Sequence, residues 1–216
     1  MTYRPLTKVH LAEVGSDLVV LDLPTGDYVC LPDLAAVAVR LACGSFEPAD
    51  REIGEALVEA NLFEVSTGPA DPRADTIEIP TRTLLAEAPA PLSAKALVLM
   101  ARALVVVALH FWGRRMRHLV RFAEEARIPA PNPDRQACAV RVSEFQRLLP
   151  WIPFQGECLY RCFLLLAFLR ADGFDAHWVF GVSTWPFQAH CWLQAGDEVL
   201  DDACERVRAF TPILVV

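Results

Sequence analysis

Apolar and polar positions alternate at the start of the chain. Val9-His10-Leu11-Ala12-Glu13-Val14 places apolar side chains at every second residue or nearly so, and Gly15-Ser16-Asp17 turns the chain. Leu18-Val19-Val20-Leu21 is a β-branched run, Pro24-Thr25-Gly26-Asp27 supplies a second turn, and Tyr28-Val29-Cys30-Leu31 returns. This patterning predicts a three-stranded antiparallel sheet over 9–31. The period then lengthens. Leu34, Val37 and Leu41 follow Pro32-Asp33 at helical spacing and predict a helix from Pro32 to about Ala42, ended by Gly44. Ile53, Leu57 and Val58 predict a second helix over about 49–60, and Leu62-Phe63-Glu64-Val65 a closing strand.

Residues 68–92 break the pattern. Gly68-Pro69, Asp71-Pro72, Ile79-Pro80, Ala88-Pro89 and Ala90-Pro91 read as a linker, with room for extended chain at 76–79. From 93 to 127 the pattern is strongly helical. Ala94 to Trp112 is apolar except for Lys95, Arg102 and His110, nearly long enough to span a bilayer. Arg102 at mid-span is costly in a membrane, so a buried helix of a compact domain is expected instead, with no membrane span. Arg114, Arg115, Arg117 and Arg121 follow as a basic cluster, suited to a solvated face or an acidic partner. A Pro/Asn loop and a helix over about 137–149 lead to Pro150-Trp151-Ile152-Pro153. The organisation is therefore α+β: a winged-helix-like module over 1–67, a linker over 68–92 and a second domain over 93–216.

Composition narrows the function. A chain of 216 residues with 54% hydrophobic and 22% charged residues is not intrinsically disordered. Its net charge of −7 argues against a general polyanion binder. Residues 1–75 carry five basic and thirteen acidic side chains, which disfavours nucleic acid as the partner of the first module. Seven cysteines (Cys30, Cys43, Cys138, Cys158, Cys162, Cys191, Cys204) and an N-terminus without an apolar signal core suggest free thiols in a cytoplasmic protein.

Candidate chemistry begins at Gln155-Gly156-Glu157-Cys158, just before the apolar run Phe163–Leu169. Pro153 and Gly156 break the chain, so Cys158 is expected in the first turn of a buried helix, where free N–H groups and the helix dipole favour a thiolate. Its alternative is a small buried apolar residue. Strands are expected at 176–182, 189–194 and 198–202. A hairpin centred on Gly196 sets Gln194 opposite Glu198, Trp192 opposite Leu200 and His190 opposite Asp202. A carboxylate across the sheet from His190 would fix its tautomer and stabilise imidazolium. A slip of one residue makes Asp201 the partner instead; in the favoured register Asp201→Asn should be close to wild type. The order Cys, His, Asp on a helix-then-sheet layout is that of papain-like and transglutaminase-like hydrolases. Cys162, Cys191 and Cys204 read as packing residues. No metal site is expected, because His190 and Cys191 should point to opposite faces and there is no CxxC.

These residues resemble a family. Cys158-Leu159-x-Arg161, Arg170-Ala171-Asp172-Gly173-Phe174, Phe180-Gly181-Val182, Pro186-Phe187-x-Ala189-His190-x-Trp192 and Gly196-x-x-Val199-Leu200-x-Asp202 resemble the lasso-peptide B protein, the leader peptidase of lasso-peptide biosynthesis. The resemblance implies a transglutaminase-like cysteine protease domain, with the Cys-bearing helix packed on an antiparallel sheet. It also implies a triad of Cys158, His190 and Asp202. Cys162, Cys191 and Asp201 depart from residues common in the family. Leu18-Val19-Val20-Leu21-Asp22 with Gly26-x-Tyr28-x-x-Leu31 resembles the RiPP recognition element, a PqqD-like winged helix that binds leader peptides. Tyr28, Val29, Cys30 and Leu31 would offer a sheet edge to an extended leader, with Ile53 and Leu57 on the other wall. The oxyanion donors are expected to be the Cys158 N–H and one further group, with Gln155 the candidate. The implied partners are a precursor peptide and an asparagine-synthetase-like lasso cyclase; peptide hydrolysis needs no cofactor. The alternative is a non-catalytic leader-binding chaperone on a degenerate transglutaminase-like scaffold.

Overall fold

The computed structural model describes residues 2–35, 38–40, 46–48, 50–66, 77–84, 91–152 and 157–216. They pack as two units. One gathers the chain up to Ser66 with Val182–Gln188 and Thr211–Leu214; the other holds Ile77–Gly181, Ala189–Phe210 and Val215–Val216.

In the first unit, β1 (Tyr3–Pro5), β2 (Val9–Val14), β3 (Asp17–Asp22), β4 (Asp27–Leu31), β5 (Ala38–Arg40), β6 (Phe46–Pro48), α1 (Arg51–Glu59) and β7 (Phe63–Val65) follow in order. β2, β3 and β4 form the antiparallel sheet read from the alternation, with Leu11 opposite Val20 and Val20 opposite Val29. β3 is its central strand, and Asp17 to Leu21 are buried. A second sheet orders β5-β6-β1-β7. Asp50 caps α1, its carboxylate accepting from Glu52 N–H at 3.0 Å. Gly54 faces Tyr3, whose ring would lie 2.2 Å from an added Cβ, so α1 can close over the core of Tyr3, Leu18, Leu34, Leu57 and Phe63 only without a side chain there.

Among the described residues the helix expected over 32–42 does not form; residues 36, 37, 41 and 42 lie outside them. Asp33 takes a left-handed φ of 56°. Its N–H donates to Asp17 Oδ1 at 3.1 Å, and its carboxylate accepts from Ser16 Oγ at 3.0 Å. A residue tied into a turn in this way cannot continue into a helix, and residues 38–40 are strand β5. Among its described residues this unit has one helix, where the winged-helix reading expected two.

The remaining elements are β8 (Arg82–Thr83), α2 (Ala94–His110), α3 (Met116–Glu125), α4 (Arg135–Leu148), α5 (Cys158–Arg170), β9 (His177–Ser183), β10 (Gln188–Ala195), β11 (Glu198–Val199), α6 (Cys204–Val207) and β12 (Thr211–Val215); of these, Val182–Ser183, Gln188 and Thr211–Leu214 group with the first unit and the rest with the second. The sheet order is β12-β9-β10-β11-β8. Residues 77–84, inside the stretch expected to be a linker, belong to this unit. β8 pairs with β11, Ile77 packs on the core of Val179, Trp192 and Val199, and Leu84 is buried. Pro and Thr content marks the stretch as irregular but does not reveal that an edge strand needed a partner.

α5 is apolar around most of its circumference, which is the mark of an enclosed helix. It packs against α2 and α4, and Leu164, Leu165, Phe168 and Leu169 are fully buried. Ser93 caps α2, its hydroxyl accepting from Ala96 N–H at 3.1 Å. No helix among the described residues is long and apolar enough to cross a membrane.

Candidate active site

Cys158 occupies the first position of α5, half-buried, directly after Glu157, whose side chain makes no capping bond. The first-turn N–H groups of α5 therefore receive no capping bond from the Glu157 side chain. His190 lies on β10, 7% exposed, its ring near those of Trp192 and Phe210, with centroids 6.2 and 5.3 Å away. Gly181 on β9 makes this packing possible: an added Cβ would sit 2.8 Å from the Trp192 ring and 2.9 Å from Phe210 Cβ. His190 Nε2 is 2.7 Å from Asp202 Oδ2. The histidine also hydrogen-bonds the Cys158 thiol, for which Nδ1 is the remaining ring atom. The structure thus brings Cys158, His190 and Asp202 together. Gln155 lies outside the described residues.

Asp202 reaches His190 by a different route from the one expected. The hairpin pairs Gln194 with Val199 and Ala195 with Glu198, one residue away from the expected register. The turn is therefore Gly196-Asp197, with Gly196 at φ 58° supplying the positive φ that two-residue hairpins favour at this position. Continued as a strand, this ladder would set Asp202 opposite Cys191, one residue short of His190 and on the other face of the sheet. Instead the ladder's last bond is Leu200 N–H to Leu193 O at 2.9 Å, and the chain then bends, bringing Asp202 to His190. Ala203 N–H fixes its other oxygen at 2.8 Å, and Arg161 and Arg206 lie 3.8 and 3.6 Å from Oδ2.

Asp201 has a separate, structural position. It is buried, accepting from Leu193 N–H at 2.9 Å and from Cys162 Sγ at 3.1 Å, with Arg161 Nε at 3.6 Å. Burial raises its pKa above the usual carboxylate range. An Asn here would turn an amide toward Arg161 and lose one acceptor. Asp201→Asn, expected from sequence to be near neutral, should therefore cost about 1–3 kcal/mol in urea unfolding; an unchanged midpoint would contradict this role. Arg161 closes the Cys158-Leu159-x-Arg161 motif. Its spacing of three from Cys158 was the available signal, since i,i+3 residues share a helix face.

The thiol's resting state also reverses an expectation. The Cys191 side chain and burial push the Cys158 thiol up to about 12, against the pull of His190. Cys191 in turn contacts Cys162, Sγ to Sγ 3.8 Å, so these two cysteines form a sulfur cluster under the site rather than inert packing. Burial opposes charge on His190, but its hydrogen bonds to Cys158 and Asp202 prevail and hold its pKa above the ordinary histidine value. A protonated thiol beside an imidazole held by a carboxylate is suited to proton removal during attack. Replacing Cys191 by Ala should lower the Cys158 pKa and speed its alkylation by iodoacetamide at neutral pH about tenfold, one pKa unit. An unchanged or slower rate would show that Cys191 does not restrain the thiol.

The leader-binding candidates lie in the first unit. β4, carrying Tyr28, Val29, Cys30 and Leu31, is an edge of its three-stranded sheet, and Val29 is 39% exposed. Ile53 is half-buried, whereas Leu57 is within the core.

Residues 100–215 match the model of the transglutaminase-like superfamily. Over 50 residues the chain is 40% identical to the microcin J25-processing protein McjB of Escherichia coli, a match covering 23% of this chain and 24% of that relative. No solved structure matches. Just over half of the chain falls within the family model, and that part carries the Cys158, His190 and Asp202 cluster on a helix and an antiparallel sheet: the chain belongs to the transglutaminase-like superfamily.

Proposed function

We propose that this protein is the leader peptidase of a lasso-peptide pathway, binding a precursor peptide and cleaving its leader from its core. The observation that carries the reading is Cys158 on the first turn of α5, hydrogen-bonded to a histidine that Asp202 holds at 2.7 Å. The partial likeness to a microcin-processing protein supports the substrate class.

In this reading the Cys158 sulfur attacks the scissile carbonyl carbon while His190 Nδ1 takes the thiol proton. The carbonyl oxygen becomes an oxyanion facing the Cys158 N–H and the first-turn amides of α5. His190, now imidazolium and stabilised by Asp202, gives its proton to the leaving amine, the C–N bond breaks and the core peptide departs. The leader remains as a thioester. Water attacks the thioester carbon, His190 takes the water's proton and returns one to sulfur, and the leader leaves with a carboxylate. The high resting thiol pKa makes His190 a base in the attacking step rather than the partner of a preformed thiolate.

The first unit would hold the leader along β4, where backbone bonds give affinity and alternate side chains selectivity. The freed core would pass to an asparagine-synthetase-like cyclase. Incubation with a precursor peptide, read by mass spectrometry, tests the activity. The account expects two fragments whose masses sum to precursor plus one water. Tight binding with an intact precursor mass would point instead to a leader-binding chaperone.

A further inference from the structure

α2 has two apolar faces. Ala96, Leu99, Met100, Ala103 and Val107 are buried in the second unit. On the other side Leu97, Val98, Val105 and Leu109 remain 55, 60, 58 and 62% exposed, and Trp112 just beyond the helix 50%. With exposed Ala101 and Ala108 between them, they form one aliphatic stripe. At 1.5 Å per residue it runs for about 20 Å. It has no polar side chain with which to orient a specific partner apart from Lys95 and Arg102 at its margin, and a patch of this kind marks an interaction surface.

The charge around the stripe identifies what it meets. From Ser93 to Ala123 there are six cationic residues (Lys95, Arg102, Arg114, Arg115, Arg117, Arg121) and no carboxylate before Glu124 and Glu125, in a chain whose net charge is −7; Lys95 pairs with Asp172 at 2.5 Å, so the excess is concentrated at Arg114, Arg115 and Arg117. Gly113, at φ 67°, ends α2 and puts exposed Arg114 and Arg115 at the corner with α3. There a cavity of about 260 Å³ is lined by His110, Arg114, His118, Arg121 and Phe122 with a single carboxylate, Glu125, which Arg121 binds at 2.7 Å. Such a cavity fits a phosphate diester.

We propose that α2 and the α2–α3 corner dock on a membrane surface rich in anionic phospholipid. The aliphatic stripe lies in the interface, Trp112 sits at headgroup level, and the corner cavity takes a lipid phosphate. The helix lies on the bilayer and does not cross it. A second copy of the chain is a poorer occupant, because face-to-face stripes would bring two such cationic corners together. An acidic protein would find few hydrogen-bonding groups along the stripe.

Vesicle flotation tests this. The full chain should float with phosphatidylcholine vesicles containing about a quarter phosphatidylglycerol, and not with phosphatidylcholine alone. Two variants on exposed positions, Val98→Asp with Val105→Asp, and Arg114→Glu with Arg115→Glu, should each keep the wild-type circular-dichroism spectrum and bind at least about tenfold more weakly. Failure of the wild type to float, or variants that float equally well, would overturn the proposal. So would a wild-type dimer that the Val98→Asp, Val105→Asp variant dissociates without any vesicle binding. Precursor cleavage in detergent-free buffer should be the same in all three proteins, which separates this surface from the peptidase reading.

Discussion

Cys158→Ala is expected to abolish leader release, by about 10³-fold or more, while the precursor still binds. Loss of a nucleophile leaves only the residual rate from positioning and oxyanion contacts. The substitution removes one sulfur from a half-buried site at a helix start, so the fold should survive. The leader-binding candidates lie on β4 and α1 of the other unit, so a titration with leader peptide should be unaffected. Cys162→Ser should retain cleavage, since Cys162 is buried and engaged with Asp201. An active Cys158→Ala protein would remove the assignment.

His190→Ala should cost nearly as much, and adding it to Cys158→Ala should lower the rate no further, because a nucleophile and its base act as one unit. Asp202→Asn should be milder, about 10–10²-fold, and should also move the pH profile. Attack needs neutral His190, so activity falls as pH drops through a histidine pKa that Cys158 and Asp202 hold above its ordinary value. Losing the Asp202 charge lowers that pKa and shifts the acid limb of kcat/KM to lower pH. A variant with reduced rate and an unmoved acid limb would show that Asp202 does not act through His190.

Much of the site was legible because it depends on local rules. Pro153, Gly156 and an apolar run place Cys158 at a helix start, and alternation places His190 on a strand. What escaped depends on contacts between distant residues. The choice between a two- and a three-residue turn at Gly196 shifts the register by one, and only the bend after Leu200 restores Asp202 to His190. The position of Asp201, tied to Leu193 and Cys162, and the thiol of Cys191 beside Cys158 are likewise products of the folded sheet and helix. In the first unit the three-stranded sheet followed from turn chemistry, whereas the helix after Pro32 was lost to side-chain bonds at Asp33 that no periodicity reveals. The edge strand at Arg82–Thr83 was hidden because two residues are too few to show a period.

The most direct measurement is peptide mapping of the protein after reaction with a leader peptide whose scissile carbonyl ends in a chloromethyl ketone. Such a reagent alkylates the sulfur that attacks the carbonyl. The account predicts one thioether, on Cys158, formed in the wild type and lost in His190→Ala. A thioether on Cys162 or Cys191, or an unmodified Cys158 in protein that still cleaves the natural precursor, would contradict it.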